Sequence, residues 1–142
     1  MIAPAVGPIA LFVHKPLYRD GPTDEIRHPR YLPPEPRRAL MRLFEGKDLR
    51  LVASGHTHQW RRCRAEGVDH VWAPSSAFVF PAEIQEAIGE KVVGVTMLEL
   101  GPDGHSLSRE APEGLEPHDL AELPGLYPEL TARIERRRAR FA

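Results

Sequence analysis

The run Leu51-Val52-Ala53-Ser54-Gly55-His56-Thr57-His58 constrains this chain more than any other stretch. Aliphatic and β-branched residues end in a glycine, and two histidines one residue apart follow at once. Such a run reads as a buried strand that delivers paired imidazoles to its carboxyl end, where open α/β sheets bind their ligands. Residues i and i+2 of an extended backbone face the same side, so His56 and His58 are expected to look into one cleft. Neutral imidazole is the commonest protein ligand for zinc and similar metals, and this spacing suits one shared ion or two neighbouring ones.

A second apolar run, Ile9-Ala10-Leu11-Phe12-Val13, has the continuous character of a strand buried on both faces, and it ends in His14-Lys15-Pro16. Pro16 biases Lys15 towards an extended conformation, which leaves His14 at a strand end as His56 is. Between the two strands the pattern turns helical from Pro36. Ala39, Leu40, Leu43 and Phe44 form the apolar stripe, Gly46 supplies the stop, and Arg37, Arg38 and Arg42 fall on the other faces. Strand, helix, strand in this order makes the strands parallel, with both carboxyl ends on one edge. His14, His56 and His58 are then expected to converge.

Residues 17–35 form a long segment rich in proline and charge, the profile of a lid or binding loop. It follows His14 directly, which makes Tyr18, Arg19 and His28 the candidates for touching a substrate. After the paired histidines, residues 59–67 read as an exposed hairpin or turn with three arginines, followed by a strand at His70–Ala73. Cys63 sits among those arginines; neighbouring guanidinium groups favour a lowered thiol pKa, and the simpler reading is a structural thiol. Ser75 and Ser76 have no base nearby in sequence and read as turn serines. Val92–Leu100 and His105–Arg109 read as strands joined by a Pro-Asp-Gly turn, so Asp103 and His105 are better explained by that turn than by a shared metal. Residues 1–110 are thus expected to form one domain. Residues 111–142 read as an extended tail ending in a basic, solvated helix over Pro128–Phe141.

With 142 residues, 42% of them hydrophobic, the chain can bury a normal core, and 15 prolines call for long loops. A formal charge of −1 argues against nucleic acid held by a basic surface. No apolar run approaches the ~18 residues of a membrane span, and residues 1–13 lack the basic flank of a signal peptide. A cytoplasmic location is therefore expected.

Phe12-Val13-His14-Lys15-Pro16-Leu17-Tyr18, Val52-Ala53-Ser54-Gly55-His56-Thr57-His58 and Ala73-Pro74-Ser75-Ser76 resemble the carboxyl-terminal half of the calcineurin-like metallophosphoesterases, most similarly the cyclic-nucleotide phosphodiesterase branch. The resemblance spans about residues 7–110. It implies an α/β fold, half of a four-layer α-β-β-α sandwich, with one mixed sheet and flanking helices. It further implies hydrolysis of a phosphoester, most naturally a phosphodiester, with divalent metal ions (manganese, iron or zinc) as cofactors, two in the complete site. His14 and His56 would ligate one ion and His58 the other. The family's amino-terminal motifs, D-x-H, G-D-x-x-D and G-N-H-D/E, supply further ligands and the catalytic histidine. This chain contains no asparagine and no Gly-Asp pair. It therefore reads as a truncated or split member, and no catalytic residue is assigned within it. A sheet face left bare by the missing half calls for a homo-oligomer or a complementary amino-terminal half. The alternative is a catalytically silent metal-binding or interaction module.

Overall fold

A computed structural model describes residues 7–123 and 125–140; most of the expected amino-terminal lead-in, and Phe141, lie outside them. In chain order the elements are β1 (Ile9–Val13), α1 (Pro34–Arg42), β2 (Leu49–Ser54), β3 (Arg61–Ala65), β4 (Val68–Trp72), β5 (Phe78–Val79), β6 (Val95–Leu100), β7 (His105–Glu110), β8 (His118–Asp119), a 3-10 turn at Leu120–Glu122, and α2 (Pro128–Arg138). The fold is α/β, with a mixed four-stranded sheet in the order β1-β2-β4-β3. β1 and β4 flank β2 in parallel, and β3 pairs antiparallel with β4.

β2 is the axis. Leu51 is 1% exposed and Val52 2% exposed, although alternation sends them to opposite faces, which is why their stretch of sequence shows no polar-apolar alternation. On one face Val52 joins Leu49 and Val68 under Leu17, Tyr18 and Phe44, with Leu40 and Met41 of α1 packed against them. On the other, Leu51, Ala53 and Val71 meet Leu98 and Leu107 of the β6–β7 hairpin. Asp69 ties that hairpin to the sheet: its carboxylate accepts from His105 Nε2 and from Arg62 Nη2, both at 2.9 Å. His105 thus bonds to Asp69 rather than pairing with Asp103 around an ion.

Helix α1 begins at Pro34 rather than Pro36, and its buried side is not the expected one. Ala39 and Leu43 are exposed, while Pro34, Arg37 and Phe44 are buried. Arg37, expected on an outer face, is the notable correction. Residues 17–24 fold back over the helix without secondary structure of their own, and their carbonyls need donors. Arg37 supplies them, with Nη1 bonding the Leu17 carbonyl and Nη2 those of Pro22 and Asp24. Gly46 does end the helical stretch, at φ 71°.

The carboxyl-terminal segment ends in the expected basic helix, α2, most of it exposed, but it is anchored where an extended tail was expected. β8 pairs in parallel with β5, Leu120 and Ile134 are each 4% exposed, and Arg138 Nε bonds Glu83 Oε1 at 2.6 Å. The β8 pairing, Leu120, Ile134 and Arg138 are thus the points at which this segment is held to the rest of the fold. Cys63 is half-buried; burial raises its thiol pKa against the opposing charge of Arg61, which removes the expected activation and leaves a structural thiol.

Two stability outcomes follow from this packing. Leu51→Ala is expected to cost ~3 kcal/mol in urea unfolding, whereas Leu100→Ala, at a position 56% exposed, costs under ~0.5 kcal/mol. His70 is 5% exposed against Tyr18, and burial holds its imidazole down at about 4 from 6.5. Between those values the unfolded chain binds a proton that the folded chain does not. This contribution is therefore complete above about pH 6.5 and declines as pH falls towards 4, by ~3 kcal/mol in all. Urea midpoints measured from pH 7 to 4.5 should fall less steeply in His70→Phe than in the parent chain.

Candidate functional site

The last β1–β2 pair is Val13 with Ser54, and one step further the Gly55 N–H bonds the His14 carbonyl at 3.1 Å. The parallel ladder thus runs to the base of both histidines. Their rings meet edge to face, 4.7 Å between centroids at 66°. Chain order alone separates His14 from His56; the sheet puts them in contact.

Paired imidazoles were expected from an extended backbone, and the structure replaces that geometry. His56 has φ 65° and His58 φ 52°, both in the left-handed region that only glycine enters freely. The Thr57 N–H bonds the Gly55 carbonyl at 2.7 Å, an i→i+2 bond across His56. A bond of that kind with positive φ at its centre is the rarer, strained form of γ-turn. The chain turns sharply here instead of continuing the pleat, so each histidine is aimed by its own backbone kink.

Neighbouring side chains hold this conformation. Gln85 Nε2 bonds the Thr57 carbonyl at 2.8 Å. Gln59, 1% exposed, gives Nε2 to the Glu86 carbonyl and takes the N–H groups of Ile88 and Gly89 on Oε1. A Cβ on Gly89 would stand 2.5 Å from the Trp60 carbonyl, so this clamp requires glycine. Thr57, Gln59 and Gln85 were not singled out in the sequence. Gln59 had the one available signal, being adjacent to the motif and too polar for its hydrophobic neighbour.

The imidazoles are chemically prepared as ligands. His58 Nδ1 donates to the Phe78 carbonyl at 3.1 Å, which fixes the tautomer and leaves the Nε2 lone pair free. Its ring lies against Phe78 and Phe80, with centroids at 4.7 and 4.9 Å. Burial lowers the His58 pKa, with the Phe78 carbonyl opposing. Burial also lowers that of His56, followed by the nearby charges of His14, Lys15, His58 and Arg30. Both shifts favour the neutral ring, the form that binds metal. Among the described residues, no group of three or more histidine, cysteine, aspartate or glutamate side chains is placed to hold an ion together.

The substrate candidates divide. Arg19 and His28 line a cavity of about 190 Å³ together with Arg30, Tyr31 and Glu86. Tyr18 does not: it is 4% exposed in the core with its ring 4.9 Å from that of His70, because the chain turns inward at Pro16 and Leu17. Arg19 is paired with Glu86 at 2.9 Å, whereas the Arg30 guanidinium bonds the Ile84 carbonyl and, among the described residues, no carboxylate, while its backbone N–H donates to His28 Nδ1 at 3.2 Å. Arg30 and Lys15, neither of them anticipated, give the histidine edge a positive field without a carboxylate partner of their own.

Backbone strain at His56 generates a test. His56→Gly relieves the left-handed conformation and His56→Ala does not, so the glycine variant should unfold at higher urea, by ~1 kcal/mol. Equal stabilities would mean that the turn carries no strain.

No protein-family model matches this chain, and no curated protein matches it either.

Proposed function

We propose that the chain is the carboxyl-terminal half of a calcineurin-like metallophosphoesterase unit, in which His14 and His56 bind one divalent ion and His58 a second. The observation that supports this reading best is the contact of the His14 and His56 rings at the ends of two parallel strands. The donor set fits: neutral imidazoles suit manganese, iron or zinc, and the Phe78 carbonyl orients His58 from behind as second ligand shells do. Divalent ions held there would polarise the phosphoryl oxygens and lower the pKa of bound water to yield a nucleophile near neutral pH. Lys15 and Arg30 favour the approach of an anionic ester, and the cavity shared by Arg19 and His28 offers its alcohol portion a wall. The catalytic acid and the carboxylate ligands would come from outside this sequence, supplied by a second copy or a complementary amino-terminal half.

Phe12, on the hairpin side of the sheet, is 60% exposed, and a cavity of about 410 Å³ opens between Phe12, Gly55 and Thr96. This uncovered apolar area is where we place such a partner. Among the described residues no helix is long and apolar enough to cross a membrane, and a cytoplasmic setting belongs to the same proposal. The second reading, a silent metal-binding or interaction module, is favoured by the lack of a three-ligand group among the described residues.

Metal content of the purified chain tests the proposal. Incubated with excess zinc or manganese and then desalted, it should retain ~1 ion, and His56→Ala should weaken retention at least ~10-fold. Retention without hydrolysis of bis(nitrophenyl) phosphate, even in the presence of a complementary half, would favour the silent module. No retained metal would overturn the phosphoesterase and the metal-binding module alike and leave the interaction module.

A further inference from the structure

Remote in character from the imidazole edge, a cavity of about 250 Å³ lies between α1, the loop after β1 and the β3–β4 hairpin. Tyr18, Arg37 and His70 line it, alongside Leu17, Met41 and Val68. The three polar residues are 4%, 3% and 5% exposed. Each keeps hydrogen-bonding capacity that the protein does not use. Among the described residues the Tyr18 hydroxyl has no partner. Among the described residues the His70 ring nitrogens have none either, since the ring only stacks on Tyr18. Arg37 commits Nη1 and Nη2 to the carbonyls of Leu17, Pro22 and Asp24, and its Nε–H meets no acceptor among the described residues.

The charge is unbalanced as well. Among the described residues no carboxylate is within ion-pair distance of Arg37. Asp24 lies close enough for its field to be felt, but its oxygens accept from the N–H groups of Arg19, Asp20 and Ile26. At the rim, Arg38 is paired with Glu25, and Glu66 stands on the exposed β3–β4 turn. The buried end of the cavity is therefore the positive end. The Arg37 guanidinium lies over the Tyr18 ring, 5.8 Å from its centroid, and shares the cavity wall with His70; a buried cation in such company, with donors to spare, is a costly arrangement unless an anion completes it.

We propose that this cavity binds a small monocarboxylic acid, its carboxylate taking the Arg37 Nε–H, the Tyr18 O–H and one His70 ring N–H. Its apolar body rests on Leu17, Met41 and Val68. At about 250 Å³ the space falls below the ~300–1,000 Å³ of drug-sized sites, which sets the ligand near benzoate in size. The same guanidinium clamps residues 17–24, so an occupant also steadies the loop that carries Arg19 to the neighbouring cavity. The site owes nothing to the metal reading and stands if that reading fails.

Benzoate titrated into isotopically labelled, metal-free protein tests it, read from the Arg37 Nε–H and His70 ring resonances. A saturable shift with Kd of ~1 mM or tighter is expected, together with at least ~10-fold weaker binding of the neutral isostere benzamide. Met41→Trp and Thr23→Trp fill the cavity from opposite walls without removing a donor, and each should weaken benzoate at least ~10-fold while circular dichroism confirms the fold. No saturable shift, equal binding of benzamide, or benzoate binding unchanged in both folded tryptophan variants would overturn the proposal and leave the cavity to water.

Discussion

The parallel pairing of β1 with β2 is the constraint on which the rest of the molecule depends. Its hydrogen bonds continue one residue past the strands, to the Gly55 N–H and the His14 carbonyl, and so fix two distant histidines at a common origin. Parallel strands cannot be joined by a tight turn, so the pairing also dictates the long excursion through residues 14–48. That excursion brings α1 onto one face, gathers Arg19, His28 and Arg30 around one cavity, and sets Arg30 close enough to His56 for its charge to be felt. Packing and site geometry therefore share a single cause.

The turn at Gly55–His58 trades local strain for aim. Two non-glycine residues in left-handed conformation oppose folding, and such strain persists only where its surroundings over-determine it. Here the surroundings are specific: Gln85 holds the Thr57 carbonyl, Gln59 holds the 86–89 loop, and the Phe78 carbonyl holds His58. Glycine at either histidine position would suit the backbone better. The presence of imidazoles at these angles is thus itself an argument for use rather than for stability.

The sequence made some of this legible and hid the rest for physical reasons. β2 was readable because a strand buried on both faces loses its alternation; β1 was read the same way, but its Phe12 is 60% exposed, and the convergence of His14 with His56 followed from strand-helix-strand order. The conformation of His56 was not readable, because nothing in Gly-His-Thr-His distinguishes a pleat from a γ-turn. Nor was the placement of Arg37 or Tyr18. An arginine that satisfies loop carbonyls looks, in a helical repeat, like any solvated arginine, and the 17–24 loop that buries it has no periodicity to announce its path. The carboxyl-terminal segment was misjudged because Leu120 and Ile134, single apolar anchors in a charged stretch, are too sparse to signal docking.

The uncovered part of the sheet and the incomplete ligand set lie at the same edge. Leu98 and Leu107 cover Leu51 and Val71, but Phe12 beside them remains open, and the cavity at Phe12 extends to Gly55, the residue next to His56. A parallel sheet exposed on one face is out of keeping with its class, and three imidazoles without a carboxylate are out of keeping with a two-ion centre. Under the proposed reading these are one deficiency. Whatever covers Phe12 arrives within reach of His56, so a single docking surface can close the core and complete the site together. Burial of the apolar face would then supply the affinity, and the metal ligands would supply the specificity, for the same partner.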